Sequence, residues 1–244
     1  MAKISAGSYD LNKWLFGGYE KDIITVIYGA PGTGKTNFSL LAAVSQAKKG
    51  NKVVYMDTEG GFSVERVKQL CETAQNGSGE VDTKEVLKNI FLLKPVNFDE
   101  QKKAFDELLK YLKQEISLIV VDGMTMLYRL DFADARGIDE KSTEEKDIRE
   151  MQKVNSELVK QMRTLAEIAR KREIPIILTN QVYRWDNESK MVGGDIMRYW
   201  AKCLIELTND KGNRKAILRK HRSMPEKDFE FEIKNSGIKR KGWL

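Results

Sequence analysis

The string GAPGTGKT, residues 29–36, constrains this chain more than any other feature. It follows an apolar run at residues 22–28 (DIITVIY) that reads as a strand. It opens a segment of helical period, residues 36–49, that stops at Gly50. A strand, a glycine-rich turn and a helix in this order form a loop whose backbone N–H groups converge on phosphate oxygens. The helix N-terminus adds unpaired donors and a partial positive charge. Lys35 is placed to reach β- and γ-phosphates, and the Thr36 hydroxyl to ligate Mg²⁺. The spacing predicts a nucleoside triphosphate site, ATP with Mg²⁺. It is lined by Gly29, Ala30, Pro31, Gly32, Thr33, Gly34, Lys35 and Thr36, with Asn37 beside it.

Around this loop, apolar runs of strand length alternate with helical segments. Strands are expected at residues 52–57 (KVVYMD), 90–93, 118–122 (LIVVD) and 175–180 (PIILTN). Helices are expected near residues 63–74, 98–114 and 143–172, and residues 76–82 (NGSGEVD) read as a polar loop. Strands separated by helices of this length predict parallel β-α-β units. After Asn180 the pattern changes to short strands at residues 202–207, 215–220 and 228–233, an antiparallel extension of the sheet. The fold class is α/β, with a mainly parallel central sheet flanked by helices and antiparallel C-terminal strands. No repeat or linker divides residues 1–244, so one domain is expected.

Two carboxylates belong with the loop. Asp122 ends the run LIVVD and is placed to hold the metal through water. Glu59 follows the run VVYMD; parallel strands share their C-terminal edge, so it emerges beside the phosphate loop. There it is either a base that orients and deprotonates an attacking water or a solvated loop glutamate before a Gly-Gly turn.

Composition removes other chemistries. The single histidine, His221, excludes His-rich metal sites and argues against a Ser-His-Asp triad. Cys71 and Cys203 are the only cysteines and lie in no metal-like spacing, which suits a reducing compartment. No window approaches the roughly 18 apolar residues that span a bilayer. A soluble cytoplasmic protein with no membrane partner is expected. The net charge of +6 is compatible with a polyanionic partner without demanding one.

The order of motifs is SAGSYDLNKWLFGGYEKDIITVIYGAPGTGKT, YMDTEGGFSVERV, LIVVD and IILTNQV. It resembles the core ATPase domain of the RecA/RadA recombinase superfamily over most of the chain, and within it the short archaeal paralogues of RadA. The resemblance implies that Glu59, in DTEG, is the catalytic glutamate, acting with Lys35. It implies that Arg66 stacks on adenine, a favourable contact for a guanidinium. Gln181, after TN, would sense the γ-phosphate and signal to a DNA-binding loop. Lys220 and Arg222 would reach a neighbouring subunit's ATP, or be only a basic strand end.

DNA contact would come from two loops. One, residues 131–143, is acidic; the other, residues 182–194, carries Tyr183, Arg184, Trp185 and Lys190, aromatics and cations that suit stacking and phosphate contact. The alternative for the second is a mobile ATP-gating loop without DNA. The basic stretch at residues 211–222 is a further candidate, or a solvated face. The N-terminal helical domain and Phe-x-x-Ala linker of a RadA recombinase are not expected here, and Phe132 with Ala135 matches that spacing by chance. The resemblance therefore implies an accessory factor with weak ATPase activity and at most weak self-association. Its partners would be DNA, a RadA-type recombinase and other repair proteins. The rival is a KaiC-like ring-forming signalling ATPase that needs no DNA.

Overall fold

The computed structural model describes residues 2–72, 81–135, 144–185 and 188–242. The chain begins with Lys3–Ile4 (β1), Tyr9–Trp14 (α1) and Tyr19–Glu20 (β2). The nucleotide-loop unit follows: Ile24–Gly29 (β3), Lys35–Ala47 (α2), Lys52–Asp57 (β4), Val64–Glu72 (α3), Thr83–Lys88 (α4) and Ile90–Leu93 (β5). Then come Phe98–Tyr111 (α5), Ile116–Asp122 (β6), Met126–Ala135 (α6), Glu144–Arg172 (α7), Ile176–Trp185 (β7) and Glu188–Met191 (β8). The last elements are Gly194–Trp200 (α8), Cys203–Asp210 (β9), Asn213–Lys220 (β10), Lys227–Lys234 (β11) and Gly237–Arg240 (β12).

The main sheet runs β12-β11-β10-β9-β3-β7-β6-β4-β5, and β8 pairs β7. Pairings from β9 through β3, β7, β6 and β4 to β5 are parallel. Those from β9 out to β12 are antiparallel, as the sequence predicts. β1 and β2 form a separate antiparallel pair.

The central strands are apolar on both faces because helices cover both. On β4, Val53 and Tyr55 enter one core, while Val54 and Met56 enter the other. β6 repeats the alternation with Leu118 and Val120 against Ile119 and Val121. Local signals set the helix starts: Ser8, Asp82 and Asn97 accept backbone N–H groups at the beginnings of α1, α4 and α5.

Several expectations change. The expected loop at residues 182–194 begins as an antiparallel hairpin, β7–β8, with Tyr183 opposite Lys190. The acidic loop at 131–143 is helical through Ala135, and its remainder lies outside the described residues, as does most of the polar loop at 76–82. Phe132 packs on Tyr128, with ring centroids 5.6 Å apart, which occupies it within this fold.

Candidate functional site

The phosphate loop leaves β3 beside β7 and β9, with Gly29 in register with Gln181 and Leu207. Gly29 must be glycine, because a Cβ would lie 2.2 Å from the Leu207 carbonyl oxygen. Gly34 caps α2 with φ 109°, a conformation that favours glycine, and no side chain caps its first N–H groups. Thr33 ties the turn by donating from its hydroxyl to the Ala30 carbonyl at 2.8 Å. Ala30, Pro31 and Gly32 are exposed at the crest, where an anion would settle.

Lys35 is almost fully buried. Its Nζ donates to the carbonyls of Gly29 and Ala30, both at 3.0 Å, and to Gln181 Oε1 at 3.4 Å. Burial pushes its pKa down, and Glu59 and Asp122 push the other way.

Asp122 is 1% exposed. Its Oδ2 accepts from the Tyr55 hydroxyl at 2.8 Å and its Oδ1 from the Thr179 hydroxyl at 2.5 Å. Burial raises its pKa, while hydrogen bonds from Thr179, Tyr55 and Thr36 oppose that. The Thr36 hydroxyl and Asp122 are thus neighbours, as the metal reading requires.

Glu59 lies at the surface with its carboxylate turned inward. Gln181 Nε2 donates to its Oε2 at 3.1 Å and its Oε1 at 3.4 Å. Partial desolvation, then the Asp122 charge, raise its pKa. Lys35, Gln181 and Glu59 therefore form one hydrogen-bonded chain across the strand ends. Asn180 extends it: its Nδ2 donates to the Val192 carbonyl at 2.8 Å, at the base of the hairpin, and Val192 N–H donates to the Gln181 carbonyl at 3.1 Å.

Arg66 is half-buried beside the loop. It donates to Asn37 Oδ1 at 3.0 Å, to Gln69 Oε1 at 2.9 Å and to the carbonyls of Lys234 and Asn235 at 2.8 and 3.2 Å. Asn37, Arg66 and the β11–β12 turn thus meet next to α2. Lys220 and Arg222 do not join this group. β10 runs against β9, so its end lies at the amino edge of the parallel strands. There Lys220 donates to the Arg198 and Ala201 carbonyls, and Arg222 pairs with Glu20 and Asp22.

Of the DNA candidates, Tyr183 and Lys190 are exposed on the hairpin, and Arg184 and Trp185 hold its next positions. Part of the basic stretch at 211–222 is neutralised by acids on and beside the neighbouring strands. Lys215 pairs with Asp228 at 2.8 Å, and Arg219 with Glu206 and Glu226 at 2.7 and 2.6 Å.

Sequence reasoning missed several residues that build the site. Asp57 accepts the Gly61 and Phe62 N–H groups, both at 3.0 Å, and so shapes the loop that carries Glu59. An Asp four residues before a glycine turn was the available signal. Tyr55, Thr179 and Gly123 gave none, because their roles depend on which strands are neighbours.

The sheet order, the loop and the carboxylates define a RecA-like α/β protein of the phosphate-loop class. A family model described as Rad51 matches residues 1–241, and the chain belongs to the Rad51 family. It is 38% identical over 229 residues to a DNA repair and recombination protein RadB of Methanococcus maripaludis strain C7, covering 93% of this chain and 96% of that one. It is 39% identical over 239 residues to the protein so named in Methanobrevibacter smithii, covering 93% and 92%. A crystal structure of the RadB recombinase superposes with a TM-score of 0.76 at 31% identity, covering 98% of this chain and 100% of that one.

Proposed function

We propose that this chain is a RadB-like accessory protein of DNA repair and homologous recombination, built as a single RecA-like core. It binds ATP, hydrolyses it slowly, binds DNA and assists a RadA-type recombinase in the cytoplasm. The observation that carries this reading is the continuous chain Lys35–Gln181–Glu59, joined through Asn180 to the hairpin. It couples the place where a γ-phosphate would sit to the segment best suited to meet DNA.

The residues fit Mg²⁺. Among the described residues no group of three or more His, Cys, Asp or Glu side chains is placed to hold a metal, so a metal here would be shared with phosphates, the usual habit of Mg²⁺. Thr36 and Asp122 would hold it, and when bound it would neutralise charge on the phosphates. The loop N–H groups and Lys35 would orient the phosphates. Glu59 would take the proton of the attacking water, and Arg66 would cover the adenine beside Asn37. Gln181 would exchange its contact with Lys35 for one with the γ-phosphate and pull on Val192. Lys220 and Arg222 would act only on a neighbouring subunit's nucleotide.

The test is ATPase activity with and without DNA and a RadA-type partner, with filter binding of single-stranded DNA across a salt series. Binding that weakens steeply with salt is expected. No binding at low salt sinks the DNA part, and no turnover sinks the ATPase part. An ATP-dependent hexamer indifferent to DNA would instead favour the KaiC-like rival.

A further inference from the structure

Asp122 is clamped from both sides. β6 lies between β4 and β7, and each neighbour contributes one hydroxyl: Tyr55 to Oδ2 and Thr179 to Oδ1. The register explains the reach of Tyr55. It pairs with Val120, two residues before Asp122 on the same face, so its ring lies along the sheet and ends at the carboxylate. Tyr55 is 0% exposed, and its ring packs edge-on against Phe62 at 5.2 Å. Its hydroxyl has one proton. A carboxylate only accepts, so that proton goes to Asp122. Ser39, on α2, lies 3.0 Å from both the phenol oxygen and the Thr36 carbonyl, and its single hydroxyl proton serves one of them at a time. Tyr55 therefore stands between Asp122 and the helix turn that carries Thr36.

We propose that Tyr55 is a positioning residue for the metal carboxylate: its hydroxyl fixes the plane of Asp122 so that one face stays turned to Thr36. This rests on the reading of Thr36 and Asp122 as the Mg²⁺ site. Groups behind a metal's ligands commonly tune its affinity by 10- to 100-fold, about tenfold being the lower end.

The experiment is a Mg²⁺ titration of fluorescent ATP-analogue binding to chelator-stripped protein. Tyr55→Phe keeps the ring and removes only the hydroxyl. It should raise the half-saturating Mg²⁺ about tenfold and leave metal-free nucleotide affinity within about twofold. Thr179→Val, which removes the opposite hydroxyl, should give the same shift. In an Asp122→Asn background, Tyr55→Phe should change nothing further. An unchanged Mg²⁺ midpoint in both single variants overturns the proposal, as does an equal loss of metal-free binding. A parent protein whose nucleotide binding ignores Mg²⁺ instead overturns the metal reading itself, and the two failures are read separately.

Discussion

Glu59 and Gln181 meet across the end of a strand that holds neither of them. Glu59 follows β4, Gln181 lies on β7, and β6 runs between. The contact, 3.1 Å from Gln181 Nε2 to Glu59 Oε2, passes over Gly123, where a Cβ would lie 2.3 Å from Glu59 Oε1. Gly123→Ala should therefore displace the carboxylate. A displacement on the order of 1 Å at a reacting group can cost up to about a hundredfold, so turnover should fall at least about tenfold. The clash falls on the end of a flexible side chain, so unfolding free energy should change by less than about 1 kcal/mol. Steady-state kinetics with urea unfolding checks both; full turnover would mean that Glu59 works from another position.

The raised pKa of Glu59 gives a pH prediction. A base must be unprotonated to act, so turnover falls as pH drops through its pKa. Desolvation and the Asp122 charge place that fall above the ordinary carboxylate range. Glu59→Gln should abolish this acid limb and lower turnover by about 10²–10⁴, with nucleotide binding retained. A pH-rate profile beside equilibrium binding measures this, and an unchanged rate removes Glu59 as the base.

Phe231 joins the C-terminal strands to the phosphate loop. It is 1% exposed, meets Phe38 of α2 edge-on at 5.1 Å, and lies 3.8 Å from where a Cβ on Gly34 would be. Phe231→Ala should cost about 3–5 kcal/mol through lost burial and a residual cavity. Because the cavity opens under the helix start, nucleotide affinity should fall too. Urea unfolding with and without nucleotide tests the pair of effects.

Local pattern carried the loop, the strands of the parallel sheet and the helices between them. Residues 52–57 read as a strand and match β4, because apolar runs and glycine breaks are encoded within a few neighbours. The short α1 and α4 were missed although Ser8 and Asp82 mark their starts, since six residues carry too little periodicity. The hairpin reads as a loop in the sequence because no Asn-Gly, Asp-Gly or Gly-Gly dipeptide stands between residues 185 and 188. The basic run at 211–222 reads as free because its acids sit on β2, β9, on and just before β11, and in the turn before β3. That complementarity exists only once the strands are ordered.

Arg222 brings the two readings of that run into conflict. Its Nε donates to Glu20 at 2.6 Å and its Nη2 to Asp22 at 2.8 Å. Glu20 is 3% exposed, and its other cation is His221 at 3.7 Å, whose pKa is lowered by burial. Near neutral pH, Arg222→Ala leaves Glu20 as a buried carboxylate without a charged partner, a loss of about 3–5 kcal/mol. Arg222→Lys, which keeps the charge, should recover part of the loss. Thermal unfolding at neutral pH reads this directly. A transition unchanged by Arg222→Ala would release Arg222 from the fold and leave it to act on a neighbouring subunit's nucleotide.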